Sequence, residues 1–169
     1  MAYEVLHLKP TLDTSAYAAN DILFSAEALK IPARGCKILS VQAVWTDTQA
    51  PSEEVLLFFH RENVQILGGA ANAAGAATNV LFRPDSGSFL GCVRIVQDST
   101  VEDGLGAPNL LISSGAQGDS SGENYGPFDP VVVSSGTEPS KIYVSALLEV
   151  SGGITCAADS LDIFIQVEY

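Results

Sequence analysis

The sequence predicts an all-β fold: a single-domain antiparallel β-sandwich of eight to ten strands, jelly-roll-like in its connections. Three observations lead there. Apolar residues recur with a period of two, as in strands with one buried face. The strand-like runs are short and are separated by clusters of Gly, Pro, Asn, Asp and Ser. Helix-forming patterns are confined to two short places. Many short strands at such spacing point to a sandwich, and the jelly roll is its common eight-stranded form.

Each element follows from its local pattern. Residues 1–10 read as an N-terminal arm or edge strand, with Tyr3–Leu8 extended. Asp13 to Ala18 reads as the opening of a helical turn, with Asp13 or Thr14 as its N-cap. Ile22–Ser25 is a short strand. Between Cys36 and Asp47, Leu39, Val41, Ala43 and Trp45 line one face against Ser40, Gln42 and Thr46. Val55–Phe59 and Phe89–Val96 are apolar on both faces, as in strands that lie centrally in a sandwich or are covered by a neighbouring molecule. Ala70 to Ala77, with Gly68, Gly69 and Gly75 in or beside it, reads as a loop or a turn of helix. Short strands are expected at Asn79–Phe82, Asn109–Ser113 and Pro130–Val133. Residues 113–130 read as one long Gly/Ser-rich surface loop. From Lys141 to Val150, alternate residues from Ile142 are apolar. At the C-terminus Leu161, Ile163, Ile165, Val167 and Tyr169 alternate with Asp162, Gln166 and Glu168, and Phe164 is the exception on the polar face. With no second pattern or repeat, residues 1–169 form one domain.

Composition narrows the function. The chain is 47% apolar and only 17% charged, against about 25% charged in average soluble proteins, so much of the surface must be neutral. The net charge is −12, from 20 acids and 8 bases. That balance repels polyanions, and no Lys/Arg cluster exists, so nucleic acid is not an expected partner. The longest apolar run, Val55 to Phe59, is too short to span a bilayer, so no membrane association is expected. The first ten residues lack the pattern of a signal peptide, which predicts synthesis in the cytoplasm. Three widely spaced cysteines, Cys36, Cys92 and Cys156, argue against a disulfide framework. Cys92 and Cys156 lie in apolar strand-like contexts and read as small hydrophobes. No pair of close ligands suggests zinc, and no cofactor is expected.

Catalytic patterns are weak. His7 and His60 are the only histidines. Gly118-Asp119-Ser120-Ser121-Gly122 resembles a serine-protease nucleophile loop with one glycine replaced, but a nucleophilic Ser needs a His held by a carboxylate. His60-Arg61-Glu62 does not resemble that setting, so no catalytic residue is assigned and the chain is not expected to be an enzyme. Asp98, Glu102 and Asp103, like Asp159 and Asp162, read as solvated turn residues rather than a cation site. Trp45 reads as core. Tyr3, Val5, Tyr125 and Phe128 are the candidates for contact with a partner.

One resemblance adds to this reading. Leu12-Asp13-Thr14-Ser15-Ala16-Tyr17-Ala18, followed by Asn20-Asp21-Ile22-Leu23, resembles the opening of small bacteriophage virion proteins of the head-decoration type. Ile38-Leu39-Ser40-Val41, Leu56-Leu57-Phe58-Phe59, Phe89-Leu90-Gly91-Cys92-Val93 and Ile142-Tyr143-Val144-Ser145-Ala146 resemble that family's later strands, in the same order, over roughly residues 5–169. The chain departs from the pattern at Cys92, in the length of 113–130 and in its closing strand. The resemblance implies a non-enzymatic capsid decoration or cement protein. Such a protein would sit on the virion head surface, be assembled in the host cytoplasm and bind the major capsid protein or other virion proteins. Capsid junctions of threefold or sixfold symmetry favour a homotrimer or ring. The alternative is a tail- or fibre-associated host-recognition module that binds carbohydrate.

Overall fold

The computed structural model describes residues 1–18, 20–46, 55–63, 71, 88–97, 109–113, 132–148 and 154–169. The expected strand Asn79–Phe82, almost all of the Ala-rich stretch 70–77, and 114–130 of the expected loop lie outside the described residues, as do Ser120 and Ser121. All regular structure among the described residues is β. Eleven strands run in order: β1 (Tyr3–Leu8), β2 (Ala16–Tyr17), β3 (Ile22–Lys30), β4 (Gly35–Trp45), β5 (Val55–His60), β6 (Phe89–Gln97), β7 (Asn109–Ser113), β8 (Val132–Ser134), β9 (Lys141–Leu148), β10 (Ile154–Thr155) and β11 (Leu161–Glu168).

Eight of these strands build an antiparallel sandwich of two four-stranded sheets. One sheet has the order β1-β11-β4-β7 and the other β6-β5-β9-β3. The two meet at one corner, where Val96 pairs with Ile112 and Gln97 with Leu111. The pairing is nested. The first of the eight strands pairs with the last (β1 with β11), the second with the seventh (β3 with β9), the third with the sixth (β4 with β7) and the fourth with the fifth (β5 with β6). β8 continues beside β4, and β2 and β10 form a separate two-stranded ladder.

Period-two patterning places one continuous core between the sheets. Leu161, Ile163, Ile165 and Val167 on β11 meet Val55, Leu57 and Phe59 on β5 and Ile142, Val144, Ala146 and Leu148 on β9, all but completely buried. Trp45 joins them with no exposure. Leu39, expected on the same face, does not. The β4–β11 register shifts between Ser40↔Gln166 and Ile38↔Val167, so Leu39 is a bulge residue and is only half-buried. The extra residue lets both Cys36 and Ile38 before it and Val41, Ala43 and Trp45 after it face inward. Strand β5 is apolar on both faces because it is central, between β6 and β9. Its outward Phe58 is buried with Ile22 and Leu147 in a second, smaller cluster. Cys36 and Cys156 are buried, whereas Cys92 is exposed on β6, so the expectation that it packs as a small hydrophobe fails.

The segment expected to open a helix instead forms a hydrogen-bonded plug ending in β2. The Asp13 carboxylate accepts from the Ser15 backbone N–H at 2.7 Å, a local turn that competes with a helix start. The buried Tyr17 hydroxyl accepts from the Asp13 N–H at 2.7 Å and donates to the Leu23 carbonyl at 3.2 Å. The Asp21 carboxylate accepts from the Ala18 N–H at 2.5 Å. Leu12 fills the core beneath, and its N–H donates to the Ala158 carbonyl. The motif that carries the family resemblance is therefore structural: the Asp13, Tyr17 and Asp21 side chains hold the turn into β3. Burial pushes the Tyr17 phenol up to about 12. Tyr17→Phe orphans the Asp13 donor and removes the donor to Leu23, so it should cost about 1–3 kcal/mol in urea unfolding. A cost under about 0.5 kcal/mol would mean that the hydroxyl does not hold the segment.

Candidate functional site

Alternation along β1 separates two sets of side chains. Leu6 and Leu8 point into the core, while Tyr3, Val5 and His7 lie on the outside. The outer face continues over β11 and β4 through cross-strand neighbours: Tyr3 beside Glu168, Val5 beside Gln166, His7 beside Phe164, and then Lys37, Ser40 and Gln42. Neighbouring side chains so placed interact directly.

Polar ties organise this face. His7 Nε2 and Asp162 Oδ1 lie 2.7 Å apart, and the His7 ring stacks on Phe164 with centroids 4.8 Å apart and planes at 8°. The Tyr3 hydroxyl donates to Glu168 Oε1 at 3.4 Å, and Lys37 Nζ stands 3.8 Å from Glu168 Oε2. Ser40 Oγ donates to Gln166 Oε1 at 3.2 Å. These ties leave the apolar parts of the edge bare. Tyr3 is 62% exposed and Val5 60%, and Met1 and Tyr169 beside them are also exposed. They are the large exposed hydrophobics among the described residues. Grouped exposed apolar residues of this kind mark contact sites, unlike singly scattered ones.

Of the four sequence candidates, the structure thus brings Tyr3 and Val5 together on one edge, while Tyr125 and Phe128 lie outside the described residues. The sequence reading missed His7 as a member of this face; Tyr169, exposed just past the end of β11, follows the alternation of Val167 and not that of Phe164. Phe164 did leave a signal, as the one apolar residue on the polar side of its strand. Beside β1 lies a cleft of about 420 Å³, lined by Glu4 to His7 on one side and Ala28 to Pro32 on the other.

A second cluster resembles a catalytic dyad in outline only. His60 Nε2 lies 2.9 Å from Ser145 Oγ, and Nδ1 lies 2.9 Å from the Glu62 backbone oxygen. A carbonyl can only accept, so Nδ1 carries the proton and Nε2 accepts from the Ser145 hydroxyl. Both residues are sealed, at 0% and 1% exposure, and the ring packs on Tyr143. Burial lowers the His60 pKa. The orienting group is a backbone oxygen instead of a carboxylate, and no substrate reaches the hydroxyl, so the pair acts as a polar pin between β5 and β9. Around it Arg61 donates to Ser134 Oγ at 2.8 Å, Thr137 donates to Glu62, and the Tyr143 hydroxyl donates to Glu138 at 2.6 Å.

Among the described residues no group of three or more His, Cys, Asp and Glu side chains is placed to hold a metal ion. Compared with family models, with curated proteins and with solved structures, the chain matches none of them.

Proposed function

We propose that this protein is a non-enzymatic bacteriophage virion component, a decoration or cement protein that docks on the major capsid protein at the head exterior. The observation that carries the reading is the bare apolar edge at Tyr3 and Val5 on a sandwich with one continuous buried apolar core. A docking protein needs a rigid frame and a contact patch, and these are its two parts. The nested pairing of first strand with last, second with seventh, third with sixth and fourth with fifth supports a jelly-roll reading of the sandwich, and jelly rolls occur in viral capsids and lectins. Fold alone does not fix function; the ordered resemblance of the motifs from Leu12 to Ala146 adds to it. Repeated weak contacts over many copies would supply the avidity.

The test is co-sedimentation of the purified protein with undecorated heads. The expected result is saturable binding, weakened at least tenfold by Tyr3→Ala combined with Val5→Ser. Absence of any protein on the heads would refute decoration.

One observation favours a second reading, a carbohydrate-binding module of a tail or fibre. Tyr3 and Phe164 are aromatic residues on one sheet face, and such rings can stack on sugars. Phe164 already stacks on His7, which leaves less of its face free. Binding to a glycan array, lost in Tyr3→Ala, would establish this reading in place of the first.

A further inference from the structure

We propose that the free edge of β1 is completed by β1 of a second copy, so that the first sheet continues across a two-fold axis. The idea stands whether or not the protein belongs to a virion.

The backbone supplies the first observation. Ala2 and Tyr169 exchange both of their hydrogen bonds, N–H to carbonyl, at 2.9 and 3.0 Å. In an antiparallel ladder such pairs alternate. Glu4, Leu6 and Leu8 therefore bond to β11, through Val167, Ile165 and Ile163. Tyr3, Val5 and His7 aim their N–H and carbonyl groups at the open side. The residues with outward side chains are thus the ones whose backbone pairs with no strand among the described residues.

The second observation is a contrast between the two strands that end the eight-strand order, β1 and β3. Sheet edges are normally blunted by bulges, charges or proline. β3 is blunted: its register with β9 shifts twice, between Ile22 and Phe24 and between Phe24 and Glu27, and it carries Glu27 and Lys30. β1 runs in unbroken register from Tyr3 to Leu8, contains no proline, and places Tyr3, Val5 and His7 at the positions facing out. β3 stands across the cleft without forming a ladder with β1. An edge left unprotected in this way is a pairing surface.

Charge balance and strand register together make a second copy the fitting occupant. The described residues hold nine acids and seven bases, so the net −12 arises mostly from the other segments of the sequence. Around the edge, Glu4, Asp162 and Glu168 are balanced by Lys9, Lys30 and Lys37. An antiparallel pairing centred on Val5 sets Val5 against its own copy, Tyr3 against His7, and Glu4 against Leu6. Within the strand no like charges then face each other, and aromatic and β-branched pairs form on the outer face. A two-fold contact is closed and self-complementary. It makes dimers, not the trimer that junction symmetry suggests.

Pairing through one six-residue strand is a small interface, so dissociation in the micromolar range is expected. Sedimentation equilibrium should give twice the 17.7 kDa chain mass at high concentration and the single mass on dilution. Val5→Lys and Val5→Pro should each weaken the dimer at least tenfold. Their circular dichroism should remain that of the parent, because Val5 is 60% exposed and its N–H faces away from β11. In the unaltered protein, the amides of Tyr3, Val5 and His7 should slow in hydrogen exchange as concentration rises. A chain that stays monomeric, a trimer, or a dimer whose β1 amides exchange at the same rate at all concentrations would overturn the proposal.

Discussion

Phe59→Ala should lower the unfolding free energy by roughly 3–5 kcal/mol, the usual cost of emptying a fully packed aromatic site. Phe59 has no exposure and sits on β5, the strand flanked by β6 and β9. Its neighbours across the ladder are Gly91 and Val144. Glycine has no side chain to move into the void, so the cavity collapses little. Domains of this size hold only about 5–15 kcal/mol in all. The loss is therefore a large share of total stability and corresponds to a fall in melting temperature of roughly 6–20 °C. Urea titration should show the midpoint falling with its slope unchanged. Tyr3→Ala, at an exposed site, should stay within about 0.5 kcal/mol of the parent. If Phe59→Ala proved equally mild, β5 would not lie at the centre of the sandwich.

Acid should weaken the fold through His60. Burial holds its pKa below the ordinary 6.5. The unfolded chain therefore takes up a proton before the native one does. Stability from this group is complete above about pH 6.5 and is lost as pH falls from there through the lower native pKa. The groups nearest the imidazole are Ser145 and Tyr143 on β9 and Glu62, which follows the end of β5. None places a carboxylate oxygen against the ring, so a proton there has no counter-charge within hydrogen-bond reach. A protonated ring would also force the Ser145 hydroxyl to turn from donor to acceptor. Ser145→Ala removes that hydroxyl and leaves Nε2 buried without a partner, at a cost of about 1–3 kcal/mol at neutral pH. His60→Leu should flatten the fall in stability between pH 7 and pH 5. An unchanged slope in that variant would assign the acid sensitivity to other groups.

The strands that could be read from sequence are those whose burial is set by strict alternation. Leu161 to Tyr169 declares its inner face without help from any other segment. Lys141 to Leu148 declares Ile142, Val144, Ala146 and Leu148 in the same way, but its alternation does not show that Tyr143, Ser145 and Leu147 on the opposite side are buried as well. Tyr3 and Val5 were visible as edge residues for the same reason: apolar side chains at alternate positions beyond the reach of a core. Leu39 was misplaced because a bulge is a property of two strands, and the β4 sequence does not contain its register with β11. Asp13 to Ala18 misled for a chemical reason. The short polar side chains that cap a helix also stabilise tight turns, and the choice was made by Tyr17, whose hydroxyl reaches Asp13 and Leu23 only in the folded chain. The His60–Ser145 pin was illegible because its members are 85 residues apart. Cys92 was read as a packed residue from its apolar neighbours, yet its position on β6 turns it outward.

Nested pairing has a kinetic consequence. The β1 ladder, closed by the reciprocal bonds of Ala2 and Tyr169, joins the two most distant parts of the chain. The inner flank of β4 waits for the same strand, β11. On the ribosome, β1 therefore has no ladder to join until β11 has been made. The hairpin of β5 and β6 can form long before. Assembly should run from this central hairpin outward, with slow final closure on the timescale of milliseconds to seconds typical of non-local β topologies. Throughout that delay β1 exposes both of its flanks, and a nascent chain is most open to mispairing with its neighbours at that stage.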